Sequence, residues 1–378
     1  MKDLTVVPVQ NRRQLRQFAR FGERLYRGSQ YYVPELESDV LESFTPSRNS
    51  AYEFCQAQAY LAYMDGRIVG RVAAIINEKA NAAWNNRTVR FGWLDFIDDE
   101  RVSAILINTV MEWGRERGMD RLEGPFGFTD FDREGMLVDG FNEKATTVTN
   151  YNYEYYLRHI AKLGLEPTAT WLEWHIPYND VPERIHRLSQ AVLKRYDLHL
   201  APTDRSIRKM ARMYVSQYLQ LMNEAYAPLY GYSAISDRQV VSIAAKFGRF
   251  LDYRLFCLVH DKDNNPVAVG VSIGSLADAL IKSRGRLFPF GWWHLLKALK
   301  WKHSETLELL SIAIKPEYQN KGLNAILIDT VLANAVKMKF ENCESNPELD
   351  TNQKMLNHWD LFDGPQVTKR RQVFAKDI

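Results

Sequence analysis

Apolar residues flank an Asp65-Gly66 pair in the run YLAYMDGRIVGRVAAII, with Tyr60–Tyr63 before it and Ile68–Ile76 after it. Asp-Gly between two apolar runs is the signature of a tight β-hairpin. Upstream, Asn11 can cap a helix that carries Leu15, Phe18 and Leu25 on one side. Downstream, Val89–Phe96 reads as a strand. Val102, Ile105, Leu106, Val110 and Trp113 then recur at helical spacing up to Gly118. From about residue 121 to 164 the pattern is mixed, ending in NYNYEYYLRHIAKLGLEP.

The same order then recurs. Helical patterns over Ile207–Ala227 and near Asp237–Phe247 precede a second hairpin, YRLFCLVHDKDNNPVAVGVSIG, at residues 253–274. Leu307–Ile314 reads as a buried strand. After Leu323, Ile328, Val331, Leu332 and Ala335 fall on one helix face, and Val367–Ala375 reads as a last strand. The repeat lies in the order of elements and not in residue identity. It predicts an α/β (α+β) chain of two similar tandem domains, 1–175 and 176–378, joined between residues 172 and 200. Each is expected to be a mixed, mostly antiparallel sheet flanked by helices.

Chemistry concentrates in KPEYQNKGLN, residues 315–324, where the strand passes into the helix. The first turn of a helix leaves backbone N–H groups without intrahelical acceptors, and with the helix dipole these favour an anion. Gly322 lets the backbone approach a ligand closely, and Lys321 adds positive charge. Together they suit a pyrophosphate, and an extended ligand tail could lie along the preceding strand. A tight strand-to-helix turn with no ligand is the alternative.

Gln319-x-x-Gly322-x-Asn324 after IAIKPEY resembles the acyl-CoA-binding motif of the GNAT (general N-acetyltransferase) superfamily: Arg or Gln, two residues, Gly, one residue, then Gly or Ala. Asn324 departs from the last small position. The upstream hairpin and following helix match the family order, so the resemblance covers about residues 200–378, and the first half resembles the same fold more distantly. It implies acetyl-CoA or another acyl-CoA as co-substrate, held by Ile312, Ala313, Ile314, Gln319, Asn320, Lys321, Gly322, Leu323, Asn324 and Asn352. It also implies transfer of an acyl group, acetyl in the first instance, to a small-molecule or peptide amine. By the same resemblance Glu308, eleven positions before Gln319, is the candidate catalytic base. A strand-edge glutamate facing solvent is the other reading, and Glu305 is an outside choice. The family places a tyrosine about seven positions after an Asn in the late helix, to protonate the departing thiolate. Asn352 fits, but the matching position is Trp359, whose indole is no general acid at neutral pH. A non-catalytic acyl-CoA or small-ligand-binding protein on this scaffold therefore stands as the alternative function.

The equivalent loop of the first half is FIDDERVS, residues 96–103. Asp98, Asp99 and Glu100 suit a helix N-terminus but would repel pyrophosphate, and no glycine is present. That half is expected to be a degenerate domain that shapes substrate binding or structure.

Three other stretches carry chemistry-bearing residues. Asn150–Tyr156, NYNYEYY, reads as aromatic packing with turn amides, or as the lining of a polar pocket. Asp132–Phe141, DREGMLVDGF, has acidic residues without a spacing that matches an oxygen-ligand loop, so a surface turn is expected and no metal. Ile281–His303 holds six Lys or Arg, dense aromatics and no acidic residue. Its Phe288, Phe290, Trp292 and Trp293 favour burial, which is worth roughly 1.5–3 kcal/mol per large side chain. A lid or a wedge between domains is therefore expected, ahead of contact with an anionic membrane surface.

Bulk properties narrow the remaining choices. The 378 residues are 46% hydrophobic and 25% charged, ordinary for a globular protein, with a net charge of +3. That charge does not point to nucleic acid. Cys55, Cys257 and Cys343 are widely spaced and suggest buried thiols, not a disulfide framework or metal pair. The beginning MKDLTVVP lacks an apolar signal region, and no apolar run reaches the roughly 20 residues of a membrane span, so a cytoplasmic location is expected.

Overall fold

The computed structural model describes residues 3–178, 180–236, 238–239, 248, 250–301, 304–352, 359 and 362–378. In chain order the first elements are β1 (Leu4–Pro8), α1 (Arg12–Leu25), α2 (Glu37–Ser43), β2 (Cys55–Met64), β3 (Arg67–Asn77), α3 (Glu78–Trp84), β4 (Thr88–Phe96) and α4 (Glu100–Arg115). They are followed by β5 (Arg121–Gly124), β6 (Met136–Asp139), α5 (Tyr155–Lys162), β7 (Glu166–Pro177), α6 (Glu183–Arg195), β8 (His199–Leu200) and α7 (Ile207–Tyr226). Then come β9 (Phe256–His260), β10 (Pro266–Gly274), α8 (Ala277–Ser283), α9 (Gly291–Lys300) and β11 (Thr306–Ile314). The chain closes with α10 (Leu323–Lys337), β12 (Asn342–Glu344), β13 (Glu348–Leu349) and β14 (Gln366–Asp377). The helix expected near Asp237–Phe247 falls almost entirely outside the described residues.

Two compact units are present. The first comprises Met1–Trp171, Ala277–Lys297 and Lys369–Ile378; the second comprises Leu172–Leu276 and Ala298–Thr368. Both carry the mixed, mostly antiparallel sheet and flanking helices expected from the pattern.

In the first unit β1, β2, β3 and β4 pair antiparallel in that order, β5 adds parallel to β4, and the end of β14 closes antiparallel on β5. The Asp65-Gly66 hairpin forms as read, with φ of 48° and 75° at its two turn residues. Asn11 caps α1, its side chain accepting from the Gln14 amide at 3.0 Å. Apolar faces of β2–β4 and α4 meet in a core that includes Val72, Phe91, Phe96, Val102, Leu106 and Val110. Within it lies a buried ion pair, Arg71 to Asp95 at 2.6 Å. Tyr26 donates to the same Asp95 at 2.8 Å, and Tyr156 approaches it at 3.2 Å. The NYNYEYY phenols are thus packing groups: Tyr151, Tyr153, Tyr155 and Tyr156 contact one another, and Tyr156 stacks on Phe96. The surface-turn expectation for Asp132–Phe141 is corrected. Met136–Asp139 is a strand paired antiparallel with residues 370–372 of β14, and Met136 and Leu137 are buried. No cluster of metal-ligating side chains occurs among the described residues.

The 281–303 stretch also departs from expectation. Its start is seated on the first unit, since Glu37 donates its amide to Gly285 at 2.7 Å and Lys144 pairs with Asp278 at 2.7 Å. Yet Phe288, Phe290, Trp292 and Trp293 are exposed, not buried. The reason is geometric. The turn from Arg286 to Gly291 is so tight that a Cβ on Gly291 would lie 1.6 Å from the Arg286 carbonyl. Helix α9 then turns Gly291 and Leu295 inward, which leaves its aromatic positions outward. Lys302 and His303 lie outside the described residues.

In the second unit β8, β9, β10 and β11 pair antiparallel in order; β12 adds parallel to β11, and the end of β7 pairs antiparallel with β12. Helix α10 is apolar on nearly every face because it is wrapped: Leu323, Ile326, Leu327, Val331 and Leu332 join Ile185 and Val192 of α6 and Val259 and Val267 of the sheet in one core. The three cysteines are buried free thiols, as composition suggested.

Candidate functional site

Strand β11 has two unlike edges. One pairs with β10 along its length, with a register shift between Val271 and Ser272. On the other, β12 pairs only through Thr306–Asn342, Leu307–Cys343 and Glu308–Glu344. That ladder stops after Glu344: the Ser345 amide goes to Trp174 O of β7 at 2.8 Å, and Asn346 meets β11 through its side chain. From Leu309 to Ile314 no strand lies on that edge among the described residues. Side chains meet its carbonyls instead. Asn346 Nδ2 donates to Leu310 O at 2.9 Å, Tyr226 Oη to Ile312 O at 3.0 Å, and Gln319 Nε2 to Ile314 O at 3.3 Å. Tyr218 Oη lies 3.2 Å from Ser311 Oγ.

At its end β11 runs into a 3-10 turn, Pro316–Tyr318, and then into two left-handed residues, Asn320 (φ 61°) and Gly322 (φ 81°), before α10 begins. Such alternation turns successive N–H groups toward one side and makes an anion-binding concavity. The amides of Asn320, Lys321, Gly322, Leu323 and Asn324 meet no acceptor among the described residues; the first bond inside the turn is Ala325 N to Gly322 O at 3.0 Å. No side chain caps α10. Lys321 is exposed, its ammonium 5.0 Å from the Tyr318 ring centre and 5.4 Å from that of Tyr196. Gly322 has a further reason beyond the one read from sequence. A Cβ there would lie 3.2 Å from Val192 Cγ2 and 3.8 Å from Leu188 Cδ1, so the missing side chain also admits α6.

Glu308 is 2% exposed, which corrects the reading of a solvent-facing strand edge. It shares a rung with Glu344 of β12 and, one strand further, His175 of β7, whose Nδ1 lies 2.7 Å from Glu344 Oε1. Asn352 sits in the turn after β13, its amide donating to Leu349 O at 2.9 Å. Ile312 and Ile314 are half-buried and pack against the core of the second unit, and Ala313 is buried.

In the segment that borders the splayed edge, sequence reasoning missed Glu348. Glu348, two residues after the Asn346 that caps Leu310, has a carboxyl pushed up to about 8 by burial, against the lowering effect of a hydrogen bond from Trp359. Trp359 Nε1 donates to Glu348 Oε2 at 3.0 Å. The Trp359 indole thus holds a carboxyl group. Tyr226, which reaches Ile312 O, is itself raised by burial and by its neighbour Tyr218, with a smaller effect from Glu348. The only sequence trace of this arrangement is Ser345-Asn346-Pro347 after so short a strand.

The strand-to-helix loop of the first unit is built otherwise. Asp99 caps α4 by accepting from the Arg101 amide at 3.0 Å. Asp98 meets His159 at 2.8 Å and Arg158 at 2.5 Å, and Glu100 meets Lys162 at 2.6 Å. All three carboxylates are engaged within the chain.

No protein-family model matches the chain. It is 24% identical over 374 residues to Protein YghO of Escherichia coli (strain K12), covering 97% of this chain and 94% of that one. It is also 24% identical over 333 residues to the Bacterial ceramide synthase of Caulobacter vibrioides (strain NA1000 / CB15N), covering 86% and 84%. Among solved structures, a tandem GNAT protein from the clavulanic acid biosynthesis pathway matches with a TM-score of 0.58 at 12% identity, over 99% of this chain and 98% of that one. The GCN5-related glucosamine N-acetyltransferase region of a fungal multi-domain GH3 β-N-acetylglucosaminidase matches with a TM-score of 0.57 at 12% identity, over 100% of this chain and 38% of that one. The chain has the tandem GNAT fold.

Proposed function

We propose that the second unit binds acyl-CoA and transfers its acyl group to the primary amine of a long-chain acceptor. One observation carries the reading: the splayed edge of β11 leads directly into a cup of five amides and Lys321 at the start of α10. In this reading the amides of Asn320–Asn324 and Lys321 hold the pyrophosphate, with Gln319 beside them. The edge formed by Ile312, Ala313 and Ile314 receives the pantetheine arm, whose polar groups exchange with the side chains that now meet those carbonyls. Asn352 lies on the bordering segment. The acceptor class is suggested by the ceramide synthase relative, because a ceramide is the amide of a long-chain amino alcohol.

The chemistry needs three proton transfers. Glu308 takes the proton that the ammonium of the acceptor must lose before attack. The amine nitrogen forms a bond to the thioester carbonyl carbon, the carbon–sulfur bond breaks, the thiolate takes a proton from the Glu348 carboxyl, and the proton still surplus on the new amide nitrogen passes to the Glu348 carboxylate so formed. A carboxyl with a pKa near 8 is mostly protonated at neutral pH, so Glu348 can fill the role that an indole at Trp359 cannot. A binding protein that only senses acyl-CoA is the second reading; Trp359 in the tyrosine position and Asn324 in the small-residue position favour it. Release of free CoA thiol, measured with acetyl-CoA and with long-chain acyl-CoA against sphinganine and short amines, separates them. Amine-dependent thiol release supports transfer. Saturable acyl-CoA binding with no release against any amine supports the sensor.

A further inference from the structure

We propose that the segment from Lys282 to Lys300 is a membrane-surface anchor that docks the protein on an anionic bilayer. Phe288 and Phe290 are 79% and 75% exposed, and Trp292 and Trp293 are 44% and 47% exposed. Rings so placed are not a frayed loop. The turn that presents them is bonded within itself, Trp292 N to Leu287 O at 2.8 Å and Trp292 Nε1 to Pro289 O at 3.1 Å. Its base is fixed: a Cβ on Gly285 would fall 2.2 Å from the Glu35 carbonyl, and Arg286 reaches Glu23 and Glu37 at 3.9 and 4.0 Å. A rigid base with aromatics outward is built to insert them.

Charge selects the occupant. No acidic residue occurs between Ile281 and His303, while Lys282, Lys297 and Lys300 of the same segment are exposed. Aromatic side chains settle at the headgroup level of a bilayer, and nearby lysines gain from anionic lipid. An anionic bilayer meets the rings and the lysines with one surface, apolar below its headgroups and negative at them. No helix among the described residues is long and apolar enough to cross a membrane, so the contact is made from one side. The inference does not depend on the acyl-transfer reading, although a surface anchor would bring the chain to acceptors that reside in a bilayer.

Vesicle co-sedimentation tests it, using phosphatidylcholine vesicles with and without phosphatidylglycerol. The full chain should bind the anionic vesicles, release with added salt, and show a blue shift of tryptophan fluorescence. Phe288→Ser with Phe290→Ser should weaken binding roughly tenfold or more, and so should Lys282→Gln with Lys297→Gln. Both pairs are exposed, and circular dichroism checks that each variant is folded. Absence of binding to either vesicle, or binding unchanged in both variants, overturns the anchor. A dimer in solution that the phenylalanine pair converts to monomer also overturns it, by assigning the patch to a second copy. Vesicle binding retained by a variant inactive in thiol release keeps the anchor whatever becomes of the proposed reaction.

Discussion

Replacing Glu348 by Gln tests the buried carboxyl through stability before any activity is known. The group has a pKa of about 8 in the folded chain against 4.5 for an ordinary glutamate, with burial as the main cause. The folded state therefore keeps the proton between those values while the unfolded chain gives it up. Stability is present in full below the lower value and is lost as pH rises through about 8. The gap corresponds to roughly 5 kcal/mol once both states are ionised, at 1.36 kcal/mol per unit. Glu348 keeps some solvent contact, and screening by water brings the expected effect to about 2–3 kcal/mol. Gln is neutral throughout, matches the shape and can accept from the Trp359 indole. Glu348→Gln should thus be as stable as the parent near pH 5 and more stable by about 2–3 kcal/mol near pH 9. That is roughly 5–10 °C in the melting temperature of a unit of this size. Glu134 in the first unit is likewise raised to about 8, first by burial, so the parent curve contains both groups and only the difference between proteins isolates Glu348. Thermal and denaturant unfolding across this pH range provide the measurement. Parallel curves for parent and variant would refute the assignment. In the transfer reaction, kcat of the parent should fall as pH rises past about 8, and the variant should lack that limb.

Glu308→Gln should lower kcat while leaving acyl-CoA affinity nearly unchanged, since a base acts only in the chemical step; an unaltered pH–rate profile removes Glu308 from the mechanism. Gly322→Ala places a side chain at φ 81° and 3.2 Å from Val192, so it should destabilise the second unit by about 1–2 kcal/mol, read by denaturant unfolding. Asp95→Ala removes the carboxylate that neutralises the buried Arg71 and one of the two hydroxyl contacts of Tyr26; the first unit should lose about 3–5 kcal/mol, and a loss below 1 kcal/mol would mean the pair is not the buried one seen.

What could be read from sequence divides by range. The Asp65-Gly66 hairpin, the Asn11 cap and the passage from β11 into α10 rest on neighbouring residues, and local chemistry dictates them. Strand β6 was read as a turn because its pairing partner, residues 370–372 of β14, lies more than 200 positions away. Glu348 went unnoticed for a similar reason. Its carboxyl matters through burial and through Trp359, and neither is a property of the ENCESNPELD run itself. The exposed rings of Phe288 and Phe290 show a different failure. Residue type favours burial, but the Arg286–Gly291 turn leaves no path inward, and backbone closure outranks side-chain preference. Gly322 is intermediate. The close approach of its backbone to a ligand is a reading the motif supports, whereas its contact with α6 depends on how a helix 130 residues upstream packs.

The two strand-to-helix loops show how one fold reaches opposite surfaces. Both must answer the same need, because the first turn of a helix presents amides that its own ladder cannot satisfy. At α4 the chain supplies the anion itself: Asp99 accepts from the Arg101 amide, while Asp98 and Glu100 are engaged by His159, Arg158 and Lys162. An external phosphate would have to displace a carboxylate already in place and approach two more. At α10 the cap is a glycine with no side chain to offer, Asn320 and Gly322 turn the amides together, and Lys321 is the nearby charge. The strands that feed the loops are alike. In the first unit β5 pairs with β4 over three rungs and the end of β14 continues the sheet. In the second unit β12 pairs with β11 over three rungs and the end of β7 continues the sheet. The difference therefore lies in the loops themselves: three carboxylates in one supply the anion from within the chain, and a glycine and a lysine in the other leave the amides open.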